Sequence, residues 1–186
     1  NNQLLLEAAL QIHGDIEHAI TTYGRERIAI VLGTSTSGID EASRGIAHYL
    51  QNQQFPGDYN YQQQELIAPA NFLADWLNIS GPAYVISTAC TSSARALMSA
   101  RRLLDMNLCD VVLCGGVDSL CKLTLNGFSA LEAVADERCN PFSANRRGIN
   151  IGEAAVLFVM SKQPAATHAI ALLGAGVYFL IGLLTG

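Results

Sequence analysis

Cys90 is the residue of this sequence best placed for covalent chemistry. It follows an apolar run, Ala83-Tyr84-Val85-Ile86, and a polar step, Ser87-Thr88-Ala89, and it precedes a helical pattern from about Ser92 to Met106. A second apolar run, Val111-Val112-Leu113-Cys114, closes on Gly115-Gly116. Two short apolar runs flanking one helix predict a βαβ unit with parallel strands and a right-handed crossover. Cys90 then stands at the carboxyl end of a strand and the mouth of a helix, the edge where ligands and nucleophiles collect in an open α/β sheet. The unpaired N–H groups of a first helical turn favour thiolate over thiol and can hold a developing oxyanion. The competing reading is a small core residue, because cysteine is among the most buried residue types.

The remaining cysteines invite less. Cys109, Cys114, Cys121 and Cys139 form no C-x-x-C pair and have no histidine at ligand spacing, so no metal site is expected. An odd count of five without a secretion signal points to reduced thiols and a cytoplasmic setting. A net charge of -5 with no basic patch argues against a nucleic-acid partner. With 186 residues, 50% hydrophobic and 15% charged, the chain is large and apolar enough for a well-buried core.

Several elements must position Cys90. Leu4, Leu5, Ala8, Ala9 and Ile12 recur at helical spacing, and a polar link is expected from about Thr21 to Arg27. Ile28 to Leu32 predicts a fully buried strand. The following Gly33-Thr34-Ser35-Thr36-Ser37-Gly38 lacks the lysine and spacing of a P-loop and the pattern G-x-G-x-x-G, so it is expected to be a tight turn and no nucleotide cofactor is implied. Ile39, Ala42, Ile46, Ala47 and Leu50 predict one helical face, and Gln51 to Gln64 a polar surface loop. Pro69 opens a short helix ending near Asn78, with Phe72, Leu73, Trp76 and Leu77 toward the core. Residues 140–152 predict an exposed loop bearing Arg146 and Arg147. Glu153 stands before an apolar strand, where a buried carboxylate would need a partner.

Four segments in register carry a resemblance: G-P-A-Y-V-I-S-T-A-C-T-S-S-A, D-V-V-L-C-G-G-V-D-S-L, N-G-F-S-A-L, and N-P-F-S-A-N-R-R-G-I-N-I-G-E-A-A-V-L-F-V, between Gly81 and Val159. In order and spacing they resemble the elongating β-ketoacyl-[acyl-carrier-protein] synthases of the thiolase superfamily. The resemblance implies a thiolase-like α/β half, with a mixed, mainly parallel sheet flanked by helices. It covers residues 1–176, as an amino-terminal half incomplete at its start. Residues 177–186 form an apolar tail that does not match. Residues 169–186 carry no charge, but Gly174, Gly176 and Gly182 interrupt the run and no basic flank anchors it, so no membrane span is expected. The chain departs from the family at Ser143 to Arg147, where D-x-x-R-D-G is commoner than S-A-N-R-R-G.

The same resemblance implies roles. Cys90 would accept the acyl group from a carrier protein's phosphopantetheine, and Phe128 would line the acyl pocket, although an aromatic there is equally an ordinary core residue. A malonyl unit on the carrier protein would then decarboxylate and attack the thioester. The two histidines and the lysine that assist belong to the family's second half, and His13, His18, His48 and His168 match none of their positions, so this chain alone is expected to be inactive in condensation. The acyl carrier protein is the implied partner, together with a second ketosynthase-fold subunit in a homodimer or heterodimer joined along residues 83–87. Two alternatives stand beside this reading. A non-catalytic chain-length-factor-like partner would usually lack the cysteine, and a hydrolase would show a glycine-flanked nucleophile elbow.

Overall fold

The computed structural model describes residues 1–163 and 170–172. Four strands form one mixed sheet in the order β2-β1-β3-β4. Strand β1 (Ile28–Gly33) lies parallel to β2 (Ala83–Ile86) on one side and to β3 (Val111–Asp118) on the other, and β4 (Ala154–Ser161) runs antiparallel to β3. The βαβ unit around Cys90 is therefore present, with β1 inserted between its two strands.

The two faces of the sheet are covered differently. On one, Ile28, Ile30, Leu32, Leu113, Val117 and Leu157 meet helices α1 (Asn2–Gln11), α2 (His13–Tyr23) and α4 (Ala68–Leu77) in the larger core. On the other, Ala29, Val31, Val112 and Cys114 meet the small stripe Ala96, Ala100 and Leu104 of α5 (Ser92–Asp105). Alternation along β1 sends every second side chain to each face, which is why a strand buried on both sides is apolar throughout.

Several sequence expectations change. The polar link expected from Thr21 is helical as far as Tyr23, where Gly24, at φ +83°, stops α2 and a 3-10 turn follows. In α3 (Ile39–Asn52) the expected inward face is incomplete, with Ala42 buried but Ile46 and Leu50 exposed. Tyr49, Phe55 and Tyr59 stack at the end of this helix, with ring centroids 4.6 and 4.4 Å apart. Trp76 is more exposed than expected and faces the ring of His13, whereas Leu73 and Leu77 are buried and Asn78 ends α4 in the left-handed conformation. Glu153 is exposed, so it carries no burial penalty, and its Oε2 accepts a hydrogen bond from the Leu120 N–H at 3.1 Å. The 140–152 loop exposes Arg146 and Arg147 as expected. The short α6 (Lys122–Ala130) has no counterpart among the expected helices, and none of its residues is buried. The strand leading to Gly176 and the 177–186 tail fall largely or wholly outside the described residues, as does His168.

Gly33 and Gly116 are register partners on β1 and β3, and the start of α5 rests on them. A Cβ on Gly33 would land on the Ser93 backbone nitrogen and the Ser92 carbonyl, and one on Gly116 on the Ser93 hydroxyl. Backbone cannot step aside as a hydroxymethyl can. Gly33→Ala should therefore destabilise the protein by about 1–3 kcal/mol in urea denaturation, and by more than Gly116→Ala does. Gly14→Ala, in α2 with nothing within 4 Å of the added methyl, should stabilise by about 0.5–1 kcal/mol. Equal effects at all three positions would show that the close approach of α5 is not what limits these sites.

Candidate active site

Cys90 is exposed and sits between the carboxyl end of β2 and the first turn of α5, whose N-cap residue is Thr91. The turn that presents it is held from several directions. Ala89 is in the left-handed region at φ +53°, a conformation that costs an L-residue roughly 1–2 kcal/mol. Its carbonyl accepts from the Ser92 N–H at 3.0 Å, the Ser92 hydroxyl at 2.6 Å and the Ser35 hydroxyl at 3.2 Å. The Thr88 N–H donates to Ser92 Oγ at 2.9 Å, and the Thr91 hydroxyl donates to the Thr88 carbonyl at 2.9 Å. The run T-A-C-T-S-S is thus a mesh of hydroxyls around one strained residue. No side chain caps α5, so its amino-terminal dipole is left for whatever approaches Cys90.

A second residue, Asp118, ties the neighbouring turn to the sheet. One of its oxygens, Oδ1, accepts from the Thr34 hydroxyl at 2.8 Å, the Ser35 N–H at 2.7 Å, and the Thr36 N–H and hydroxyl at 3.1 and 3.0 Å. The G-T-S-T-S-G segment is accordingly the tight turn expected, but organised by a carboxylate at the end of β3. Ser35 then links that turn to Ala89. Sequence reasoning gave Asp118 no role. Its signal was the run of hydroxyls and N–H groups at residues 34–36, which needs an acceptor that no nearby residue supplies.

An open groove of about 460 Å³ lies beside α5, with Ser93, Asp118 and Glu153 at polar positions and Leu97, Val156 and Phe158 at apolar ones. Neither Cys90 nor Phe128 lines it. Phe128 is half-buried in α6, and no described contact brings it to Cys90. Two of the histidines are engaged elsewhere, His13 near Glu17 at 3.7 Å and against Trp76, and His48 at 2.8 Å from the Gln54 carbonyl. Among the described residues no group of three or more His, Cys, Asp or Glu could hold a metal ion, and no helix is long and apolar enough to cross a membrane.

The five thiols sit in distinct surroundings. Burial pushes the Cys114 pKa up to about 12, and burial also raises that of Cys109 against the opposing field of Arg27. A thiol whose pKa is raised stays protonated and unreactive at neutral pH. Cys121 is buried as well, Cys139 is half-buried, and Cys90 alone is exposed. Brief iodoacetamide treatment of the folded protein at pH 7 should therefore modify Cys90 first and Cys139 second, leaving Cys114 unmodified until the chain unfolds. Peptide mapping showing Cys114 or Cys109 modified as fast as Cys90 would contradict this arrangement.

Comparison with known proteins supplies a family. The model of "Beta-ketoacyl synthase, N-terminal domain" matches residues 2–166. Nodulation protein E of Rhizobium meliloti is 36% identical over 92 residues, 49% of this chain and 23% of that protein. The tetracenomycin polyketide synthase ketoacyl synthase alpha subunit of Streptomyces glaucescens is 28% identical over 155 residues, 76% of this chain and 36% of that protein. Among solved structures, a chain of the complex between a ketosynthase and its chain length factor from Xenorhabdus doucetiae superposes with a TM-score of 0.81 and 47% identity. That match covers 88% of this chain and 42% of the other. The chain thus spans less than half the length of these relatives.

Proposed function

Because the chain belongs to the β-ketoacyl synthase family, matching its amino-terminal domain, we propose that the protein of which it forms part is an elongating ketosynthase with Cys90 as its acyl-accepting nucleophile. The observation that carries this is the exposed Cys90 on its strained, hydroxyl-braced turn at the carboxyl edge of the sheet. The thiolate attacks the thioester carbonyl of an acyl-carrier protein. A new C–S bond forms, the bond to the phosphopantetheine sulfur breaks, and that sulfur leaves as a thiolate that takes a proton. The uncapped start of α5 favours the negative charge that builds on the carbonyl oxygen.

In the second half-reaction a malonyl-carrier protein loses CO2. The electron pair of the broken C–C bond forms a new C–C bond to the acyl carbon, and Cys90 departs as thiolate. Donors aimed at the malonyl thioester oxygen are needed for that step. His13 and His48 are committed to other contacts, and His18 lies on α2 against the opposite face of the sheet from α5. On the resemblance, which puts the assisting histidines and lysine in the family's second half, the 186 residues alone are proposed to acylate slowly at best and to form no carbon–carbon bond. Phe128 is proposed to touch the growing chain, on the resemblance of N-G-F-S-A-L to the family segment. Assembly is proposed through the outer edge of β2, whose other side pairs with β1. A non-catalytic, chain-length-factor-like role is the second reading, since the structure of 0.81 TM-score comes from a complex containing both kinds of subunit.

The full-length protein should form a covalent acyl adduct on Cys90 when given an acyl-carrier protein thioester, detected by mass spectrometry of the Cys90 peptide. With malonyl-carrier protein it should release a β-ketoacyl product. Cys90→Ala should abolish both, and product formation by Cys90→Ala would remove Cys90 from the mechanism. An intact protein that never forms the adduct would favour the chain-length-factor-like reading.

A further inference from the structure

The turn of residues 34–36 is tied to the strands on both sides of β1, and it touches the segment that carries Cys90 twice. The Thr34 N–H donates to the carbonyl of Ile86, the last residue of β2, at 3.2 Å. The Ser35 and Thr36 N–H groups go the other way, to Oδ1 of Asp118, the last residue of β3, at 2.7 and 3.1 Å. The Thr34 and Thr36 hydroxyls converge on the same oxygen, and both threonines are buried. Ser35 between them is exposed, and its hydroxyl donates to the Ala89 carbonyl at 3.2 Å. Ile86 and Ala89 bracket the arch that leads from β2 into Cys90, so one turn holds both ends of that arch.

We propose that Asp118 and Ser35 are positioning residues for Cys90: the carboxylate fixes the turn 34–36, and the Ser35 hydroxyl passes that fix to the arch carrying the thiol. The inference rests on the reading of Cys90 as the acyl-accepting nucleophile. The contacts of Ser92 with Ala89 and Thr88 close the Cys90 turn on itself, and they would travel with it if it shifted. Ser35 belongs to a segment anchored on both β2 and β3, so its contact refers Ala89 to the sheet. Hydrogen bonds to a carboxylate oxygen are roughly twice as strong as neutral ones, which makes Asp118 the firm end of this relay. The Ser35 hydroxyl is its lighter end, a neutral and solvent-exposed donor. A left-handed alanine keeps its conformation only where several contacts impose it together. Precision matters here because a misplacement of about 1 Å at a reacting atom can cost on the order of a hundredfold in rate.

Single-turnover acylation of the full-length protein by an acyl-carrier protein thioester tests the relay. Ser35→Ala removes one exposed hydroxyl and leaves no buried gap. It should slow acylation at saturating carrier protein by about three- to tenfold, with the half-saturating carrier concentration unchanged. Asp118→Asn keeps an acceptor oxygen without the charge and should slow the same step. The double variant should be no slower than the slower single one, because both residues act along one path. Hydrogen–deuterium exchange of the peptide spanning Thr88 to Ser92 should rise in Ser35→Ala, while Cys114 stays unlabelled by iodoacetamide in every variant. Three results would overturn the inference. They are acylation of Ser35→Ala at the wild-type rate, fully additive losses in the double variant, or losses accompanied by rapid labelling of Cys114, which would leave the two residues a structural role alone. Wild-type protein that is never acylated, but whose 88–92 peptide loosens in Ser35→Ala, would sink the ketosynthase reading alone. Wild-type acylation that Ser35→Ala leaves unchanged would sink only this one.

Discussion

The close seat of α5 on Gly33 and Gly116 is the contact on which the rest of the structure depends. The two glycines are paired in register on β1 and β3, and no side chain separates them from the backbone and hydroxyl of the first helical turn. Ala96 and Ala100 continue that closeness along the helix. A helix held this near the sheet has little freedom to tilt, and interiors packed at this density transmit displacements rather than absorb them. The position of Cys90, two residues before the helix, is thereby set by the sheet rather than by a loop. Functional groups carried on rigid elements hold their geometry better than groups on loops.

Much of this was legible in the sequence, for physical reasons. The apolar runs at Ile28, Ala83 and Val111 are strands because they are short and flanked by turn residues, the first and third buried on both faces and the edge run at Ala83 half-buried throughout. The α5 boundaries followed from its spacing to within a residue. The strand order was not legible, since periodicity reports which faces are buried and not which strand lies between two others. Ile46 and Leu50 have the spacing of core residues but stay exposed among the described residues, and Trp76 is covered only in part, by the ring of His13. Asp118 was invisible because its partners stand more than eighty positions earlier, at Thr34, Ser35 and Thr36. Only the adjacency of β1 and β3 brings it to them.

The sheet is covered asymmetrically. The face toward α1, α2 and α4 buries one continuous cluster from Leu5 to Leu157. Toward α5, cover stops short of β4, where Val156 and Phe158 remain about half exposed and border the open groove. The alternation of β4 explains this directly. Leu157 points into the large core, and its neighbours on either side point to the α5 face, at a part of it that the helix leaves uncovered. Apolar surface left contiguous in this way normally marks an interaction site. Helix α5 and the uncovered strand share that face, so the chemistry proposed for Cys90 and the least covered part of the sheet lie on one side of it.

The reading of Cys90 as more than a small core residue draws support from its contrast with Cys114. Both lie near the same sheet, but Cys114 is enclosed by the α5 side of the core and held as a thiol by burial. It needs nothing from its surroundings beyond space. Cys90 is exposed, and its approach requires a left-handed alanine, three donors on that alanine's carbonyl and a serine shared with the turn that Asp118 organises. A cysteine serving only to fill volume gains nothing from such an arrangement. Backbone strain persists only where surrounding contacts over-determine it, and it gathers at sites where presentation of one side chain matters. The hydroxyl mesh stabilises a conformation that would otherwise relax, and the residue it holds out to solvent is the thiol.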